Sequence, residues 1–172
     1  MATNPRTEPD LRQVAWAELL HAKHRVAARI DAELADRGLL QSDWYGVLLA
    51  LSRSPGGRLR LSDLADRVLF SRSGLTRLVD RIEAEGLLCR QRCPEDRRGQ
   101  YAALTDKGRE SMRRTWAALE PLLAEHFGAH LSDTEAAAIH KGLARVIRAH
   151  GGADEVAASE PVKLNVRGPR KA

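Results

Sequence analysis

The hydrophobic pattern of this 172-residue chain changes its period at Gly86, and that change restricts the possible folds. Before Gly86, apolar residues recur every three or four positions, which predicts amphipathic helices. After it, residues 88–92 and 101–105 each alternate between two sets of side chains, as strands do. Residues 94–99 between them have the composition of a turn. The sequence therefore predicts a mainly α protein with one small β-hairpin.

Capping residues predict where the helices before the hairpin begin and end. Asp10 followed by Gln13 is typical of a capping box and opens a helix that ends near Gly38. At about 27 residues this helix is too long to bury its whole apolar stripe on so small a core, so we expect it to pack against a second subunit. Further helices are predicted from Ser42 to about residue 53, over 63–68 behind a Ser62 cap, and over 72–85 with Gly86 as the C-terminal cap. Residues 59–61 before the Ser62 cap alternate like a very short strand.

Two more helices follow the hairpin. Thr105 is expected to cap the first of them, and Pro121 to kink it. Ser132 and Glu135 form a capping box for the last helix. Its spacing predicts an inward face made of Ala136, Ile139, Leu143 and Val146.

Composition excludes several classes of protein. Apolar residues make up 43% of the chain, so disorder throughout is excluded. The longest apolar stretch, residues 44–51, is far shorter than the roughly 20 residues of a membrane-spanning helix. The polar N-terminus has no signal-peptide core, and we expect a cytoplasmic protein with no membrane partner. No phosphate-binding glycine loop, nucleophile elbow or His-Glu-x-x-His motif is present, so neither an enzyme nor a cofactor is expected.

The order of helix, tight turn, helix and hairpin predicts a winged helix-turn-helix. A DNA major groove admits one helix, so the helix over 72–85 can expose one face to bases while its apolar stripe stays packed. The net charge of +5 is compatible with an acidic partner such as DNA. The side chains expected to contact duplex DNA from this helix are Ser71, Arg72, Ser73, Thr76 and Arg77.

The tip of the hairpin supplies a second predicted contact. An arginine on a narrow wing can enter the minor groove, where negative potential concentrates, and Asp96, Arg97 and Arg98 lie at this tip. Between Ser71 and Arg98 there are seven arginines against five acidic residues, a net charge of only +2. Placement of the arginines therefore supports the prediction more than total charge does.

Three segments resemble the MarR family of transcriptional regulators. They are Leu61-Ser-Asp-Leu-Ala, the run from Ser71 to Glu83, and Asp96-Arg-Arg followed by Leu104-Thr-Asp-Lys-Gly108. With the flanking helices, the resemblance covers roughly residues 10–150. It implies a homodimer whose first and last two helices interlock, a near-palindromic operator, and repression relieved by a small ligand or an oxidant. It also implies that Arg98 enters the minor groove, with Asp96 orienting it and Arg97 on phosphate.

The expected domain organisation combines these elements. A disordered leader covers 1–9, and a flexible basic tail covers 151–172. Dimerisation helices occupy 10–41 and 106–150, and the winged helix-turn-helix lobe occupies 42–105.

The resemblance also implies an effector pocket where the dimer helices meet the DNA-binding lobe. Trp16, Trp44 and Tyr45 are the aromatic candidates to line it, and His24 or Arg81 could meet an anionic ligand. The alternative, that Trp16 and Trp44 are ordinary core residues, stays open. The identity of the small-molecule effector is left open as well.

Two other functions remain as alternatives. Cys89 and Cys93 at the base of the wing could make the chain a thiol-based redox sensor. Four residues of extended strand span about 13 Å, too far for a disulfide between them unless the turn folds back. A winged helix can also act as a protein-interaction scaffold. The histidine pairs 126/130 and 21/24 have helical ligand spacing, but nothing completes either set, so no metal site is predicted.

Overall fold

The computed structural model describes residues 10–68, 72–92 and 99–152. The chain divides into two compact units, residues 1–130 and residues 131–172. In chain order the described elements are α1 (Leu11–Asp36), α2 (Ser42–Ser52), β1 (Arg58–Arg60), α3 (Leu61–Arg67), α4 (Arg72–Ala84), β2 (Leu88–Arg92), β3 (Gln100–Leu104), α5 (Asp106–His126) and α6 (Asp133–Ala149). The predicted mainly α fold with a small β-wing is confirmed. No described helix is both long enough and apolar enough to cross a membrane.

Several helix ends follow the capping rules as predicted, and the start of α1 follows them with a change. Ser132 and Glu135 form the complete capping box predicted for α6. Gly86 ends α4 with φ at +71°, a conformation that glycine adopts without strain, and the Leu87 N–H donates to the Ile82 carbonyl at 3.1 Å. At α1, however, the Asp10 side chain accepts from Arg12 rather than from the third residue of the helix. The N–H of that third residue, Gln13, is already satisfied by the Asp10 carbonyl at 2.8 Å.

The start of α3 differs from the prediction. We expected a strand over 59–61 and a Ser62 cap, but the strand ends at Arg60 and α3 begins at Leu61. Ser62 therefore lies inside the helix, and its hydroxyl donates to Asp63 at 2.9 Å. The reason lies in the sheet, because Arg60 opposite Tyr101 is the last residue pair that β1 makes with β3.

The sheet has three antiparallel strands in the order β1-β3-β2. β2 and β3 form the predicted hairpin, with Leu88 opposite Leu104 at its base and Arg92 opposite Gln100 towards its tip. β1 adds a third strand on the other edge of β3, a pairing that the sequence did not predict. Thr105, expected at the end of the second strand, follows it as the cap of α5.

The hydrophobic core of the first unit is formed by residues from its helices and its sheet. The predicted stripe of α4 is buried, and so are apolar residues from α1, α2, α5 and the sheet. Their most buried members include Leu34, Leu48, Leu78, Val79, Ile82 and Leu88. In α5 the side chains of Met112, Leu119 and Leu122 are buried, and the helix continues through the exposed Pro121 to His126.

The predicted inward face of α6 is largely exposed. Ile139 and Val146 are 37% and 55% exposed, and Ala136 is exposed as well. Leu143 is half-buried, and Ala144 is the buried residue of this helix. The helical period alone therefore did not identify which residues of α6 are buried.

Candidate nucleic-acid interface

One face of α4 is apolar and buried, and the opposite face is polar and exposed. Leu75, Leu78 and Val79 are at most 3% exposed. Ser73, Thr76 and Arg77 are exposed, and their spacing of three and four residues places them together on the outer side of the helix. The helix therefore has an exposed polar face that carries Ser73, Thr76 and Arg77, while its apolar face stays packed on the core.

The other expected DNA contacts are only partly described. Arg72 is the first residue of α4, so its backbone lies at the helix N-terminus, which favours anions. Ser71 and the wing-tip residues Asp96, Arg97 and Arg98 lie outside the described residues. The assignment of all eight residues to DNA contact stays a prediction.

Arg90 on β2 connects the wing to α4. Its backbone N–H donates to Glu83 at 2.6 Å, and its guanidinium donates to the carboxylates of both Glu83 and Asp80. Partial burial disfavours the charged guanidinium, but hydrogen bonds and charge attraction from Asp80 and Glu83 outweigh it and raise the pKa of Arg90 above its ordinary value. Sequence reasoning placed Arg90 on a strand and missed this role. The signal in the sequence that could have indicated it is the pair of carboxylates of Asp80 and Glu83, three residues apart on α4.

Residues at the start of α5 contact the C-terminal end of α4. The Thr105 hydroxyl donates to the Gly86 carbonyl at 2.8 Å and accepts from the Gly108 N–H at 3.0 Å. The Lys107 ammonium donates to the Glu85 carbonyl at 2.7 Å, a favourable position for a cation at a helix C-terminus. The C-terminus of α4 is thereby fixed to α5 as well as to the wing.

The sheet also carries cations on its other face. The guanidinium carbons of Arg58 and Arg60 lie 5.0 and 5.8 Å from the centre of the Tyr101 ring, within the range of cation–π attraction. Cys89 is a half-buried free thiol, and the Gln91 amide donates to its sulfur at 3.9 Å. Cys93 lies outside the described residues, so the thiol-switch alternative stays a prediction.

The five effector candidates have different surroundings. Trp16 is 61% exposed, so the alternative that it belongs to the core is wrong for the isolated chain. Trp44 is half-buried against the core. Tyr45 is buried and stacks on Trp116 with ring centres 6.2 Å apart, and burial raises its pKa against the opposing charge of Arg53.

A surface cavity of about 650 Å³ includes one of these candidates. Its lining comes from one face of α1: His21, His24, Arg25, Ala28, Arg29 and Ala32. His24 is therefore the predicted effector residue that lines it. Trp44 and Tyr45 are not among these lining residues, nor is Arg81, which is exposed near the end of α4.

The histidine pair 126/130 is not on one helix. α5 ends at His126, and His130 lies in a separate short 3-10 turn over Gly128–His130. His126 instead contacts Glu33 of α1 at 2.8 Å. Within the described ranges, no three His, Cys, Asp or Glu side chains group closely enough to hold a metal ion.

Solved structures provide the first decisive comparison. AbsC from Streptomyces coelicolor, a MarR family transcriptional regulator, is 32% identical to this chain. The match has a TM-score of 0.73 and covers 86% of this chain and 99% of AbsC. The chain belongs to the MarR family.

Further similarities agree with MarR membership. A sequence model of the MarR family matches residues 37–99, from the end of α1 to the wing. Sco3205, a MarR regulator from S. coelicolor solved in complex with DNA, is 30% identical, with a TM-score of 0.71 over 87% of this chain and 91% of its own. PcaV from the same organism, solved with its natural ligand, is 28% identical, with a TM-score of 0.64 over 87% of this chain and 99% of its own.

Curated bacterial regulators match a shorter part of this chain. The first three are 29–32% identical over 99–104 residues and are described as transcriptional regulators. This chain spans a little under two-thirds of their length, 61–64%. The resemblance inferred from the α4 segment and the wing is therefore confirmed at the level of the family and its fold.

Proposed function

We propose that this chain is a cytoplasmic repressor that binds a near-palindromic duplex operator as a homodimer and is released by a small-molecule effector. The observation that carries the proposal is that α4 has a buried apolar face and an exposed polar face. Its inner side chains are buried, while Ser73, Thr76 and Arg77 face solvent on a fixed helix. The DNA complex of the related Sco3205 and the family membership support the same function.

In the proposed complex, α4 lies in the major groove. Arg77 can donate two hydrogen bonds to the O6 and N7 atoms of a guanine, and the hydroxyls of Ser73 and Thr76 can bond to base edges or phosphates. Ser71 and Arg72 at the start of the helix contact the phosphate backbone of the DNA. From the wing tip, Arg98 enters the minor groove with Asp96 orienting it, and Arg97 meets a phosphate.

Fluorescence anisotropy with the DNA upstream of the gene tests this assignment. Arg98→Ala should weaken binding to all sequences and flatten the salt dependence by about one unit of slope. Arg77→Ala and Thr76→Ala should instead alter base preference at one operator position, by roughly 10-fold. Arg113→Ala, on the exposed side of α5, is the matched control and should bind normally.

Two results would reject the assignment. Operator affinity equal to that of the unaltered chain in all three variants would exclude α4 and the wing as the reading elements. Absence of binding to any upstream fragment at low salt would favour the protein-interaction scaffold.

Exposed apolar side chains support the homodimer. On α1, Leu11, Trp16 and Leu20 are 78%, 61% and 48% exposed, and on α6 Val146 is 55% exposed. Large apolar side chains left exposed on a small chain are typical of an interface. A homodimer would cover them, and it would place two copies of α4 on the two halves of a palindrome. Sedimentation velocity measures this directly, and a monomer at micromolar concentration would contradict it.

The effector is proposed to be anionic. The cavity on α1 is lined by two imidazoles and two guanidiniums, from His21, His24, Arg25 and Arg29. Benzoate is a suitable probe, and it should dissociate the DNA complex of the unaltered chain but act more weakly on His24→Ala. Arg12→Ala, exposed near the start of α1, is the control. Release by peroxide instead, blocked by Cys89→Ser or Cys93→Ser, would favour the thiol-sensing alternative.

A further inference from the structure

We infer that Arg90 is a positioning residue that fixes the β2–β3 hairpin to α4, so that the recognition helix and the wing act as one rigid unit. The inference rests on the proposed function, because it assigns a role to the frame between two DNA-reading elements. Arg90 itself is not required to touch DNA. Its backbone and side chain are both used in contacts with α4.

The contacts of Arg90 differ from ordinary surface ion pairs. Pairs such as Arg37–Glu33 and Arg113–Glu110 join residues one turn apart on a single helix, so they do not constrain one element against another. Arg90 is seven residues from Glu83 and ten from Asp80, across the turn that follows α4. Its side chain is only 22% exposed. A main-chain bond and a forked guanidinium on two carboxylates restrict both the distance and the rotation between strand and helix.

The position of Arg90 along the strand makes these contacts effective. The base of the hairpin is held by the core, where Leu88 and Leu104 are buried opposite each other. Beyond Arg90, both Gln91 and Arg92 are exposed. Arg90 is therefore the point furthest from the base at which β2 is seen to bond to α4. The pairing with β1 holds β3 as far as Tyr101, but without Arg90 the β2 edge of the hairpin could move relative to α4, and the wing would lose its fixed position against the helix.

Arg90 also affects the charge of the reading face. Asp80 is 58% exposed on the same helix as Arg77. An unpaired carboxylate there would repel DNA phosphates, and pairing with Arg90 reduces that repulsion. Positioning and charge neutralisation predict different results when the carboxylates are removed together with Arg90, so variants can separate them.

The first test uses the free chain and measures amide hydrogen exchange. In Arg90→Gln, peptides covering residues 88–92 and 100–104 should exchange about 10-fold faster than in the unaltered chain, because the hairpin opens locally. Arg113→Gln, which removes an equally charged exposed residue, should not change them. Arg90→Lys, which keeps the charge but not the fork, should fall between the two. Unchanged exchange in Arg90→Gln would overturn the inference.

The second test is a double-mutant cycle in DNA binding. Arg90→Gln alone should weaken operator binding about 10-fold, whereas in an Arg98→Ala background it should weaken binding less than about 2-fold, since the wing contact that it positions is already lost. A variant that combines Arg90→Gln with Asp80→Asn and Glu83→Gln should remain weakened. Recovery of full affinity in that variant would show that Arg90 acts only by charge, and additive losses in the cycle would show that it does not act through the wing.

These outcomes distinguish the inference from the proposed function. If the unaltered chain binds no upstream DNA, the proposed function fails, whatever the exchange data show. If it binds DNA and exchange in the hairpin is the same with and without Arg90, only the inference fails. Circular dichroism at the assay temperature confirms that each variant is folded, and Glu83→Gln provides a second route should Arg90→Gln unfold.

Discussion

Replacement of Gly108 by alanine tests whether the frame around α4 and the wing is as closely packed as the structure indicates. A Cβ at this position would lie 2.1 Å from the Leu87 carbonyl oxygen and 2.8 Å from a methyl group of Leu104. The carbonyl cannot move away freely, because it accepts a hydrogen bond from the Thr105 N–H at 3.2 Å. The added methyl group must therefore displace backbone at the junction of α4, β2 and α5.

The expected magnitude is a balance of two opposing effects. Alanine in place of glycine in a helix gains up to about 1 kcal/mol. Overpacking typically costs 1–3 kcal/mol and more where backbone must shift, so the contact at Gly108 should cost about 3 kcal/mol or above. The net loss is about 2 kcal/mol, which corresponds to a fall in Tm of roughly 4–8 °C for a chain of this size.

Thermal unfolding followed by circular dichroism, at one fixed protein concentration, measures this change. Gly46→Ala is the matched control, because Gly46 lies inside α2 and a Cβ there would meet no atom within 4 Å. It should gain about 0.5–1 kcal/mol. If Gly108→Ala kept the Tm of the unaltered chain or raised it, as Gly46→Ala should, the packing argument at this junction would be wrong.

Three other predictions address stability and assembly. Leu78→Ala should lower the free energy of unfolding by about 2–5 kcal/mol in denaturant titrations, since it leaves a cavity under α4. Val146→Asp should convert the proposed dimer to monomer in sedimentation velocity, because a homodimer would bury the charge. Hydrogen bonds from Ser132 lower the pKa of Glu135, so α6 should gain stability above the carboxyl's unfolded pKa and lose it as the pH falls through the folded pKa. An NMR titration of Ser132→Ala should show that the pKa of Glu135 returns towards its ordinary value.

Local signals in the sequence were sufficient for several helix ends and for the buried side of α4. A cap such as Ser132 or Gly86 depends on residues within one turn, and the structure reproduces both. The stripe from Leu75 to Ile82 depends only on helical period, and its apolar members are buried. These predictions succeed because the deciding interactions are short-range.

The features that were missed depend on residues far apart in sequence. β1 pairs with β3 across more than forty residues, and three residues of alternating pattern could not specify that partner. Arg90 meets Asp80 and Glu83 because the turn at Gly86 folds β2 back along α4. The inward face assigned to α6 followed from its period, but a helical period cannot tell whether the chain itself or a second chain covers that face.

The Leu104-Thr-Asp-Lys-Gly108 motif has a structural role at the junction of α4 and α5. Within the described residues, the Thr105 hydroxyl bonds to α4 and to the α5 backbone, the Lys107 ammonium bonds to α4, and Gly108 provides room for a carbonyl. In the proposed complex the exposed face of α4 supplies base recognition, and this frame would determine the angle at which that face is presented. A MarR relative could therefore change its operator through exposed positions such as Thr76 and Arg77 without altering the motif. Changes within the motif would instead disturb helix and wing together, whatever the operator.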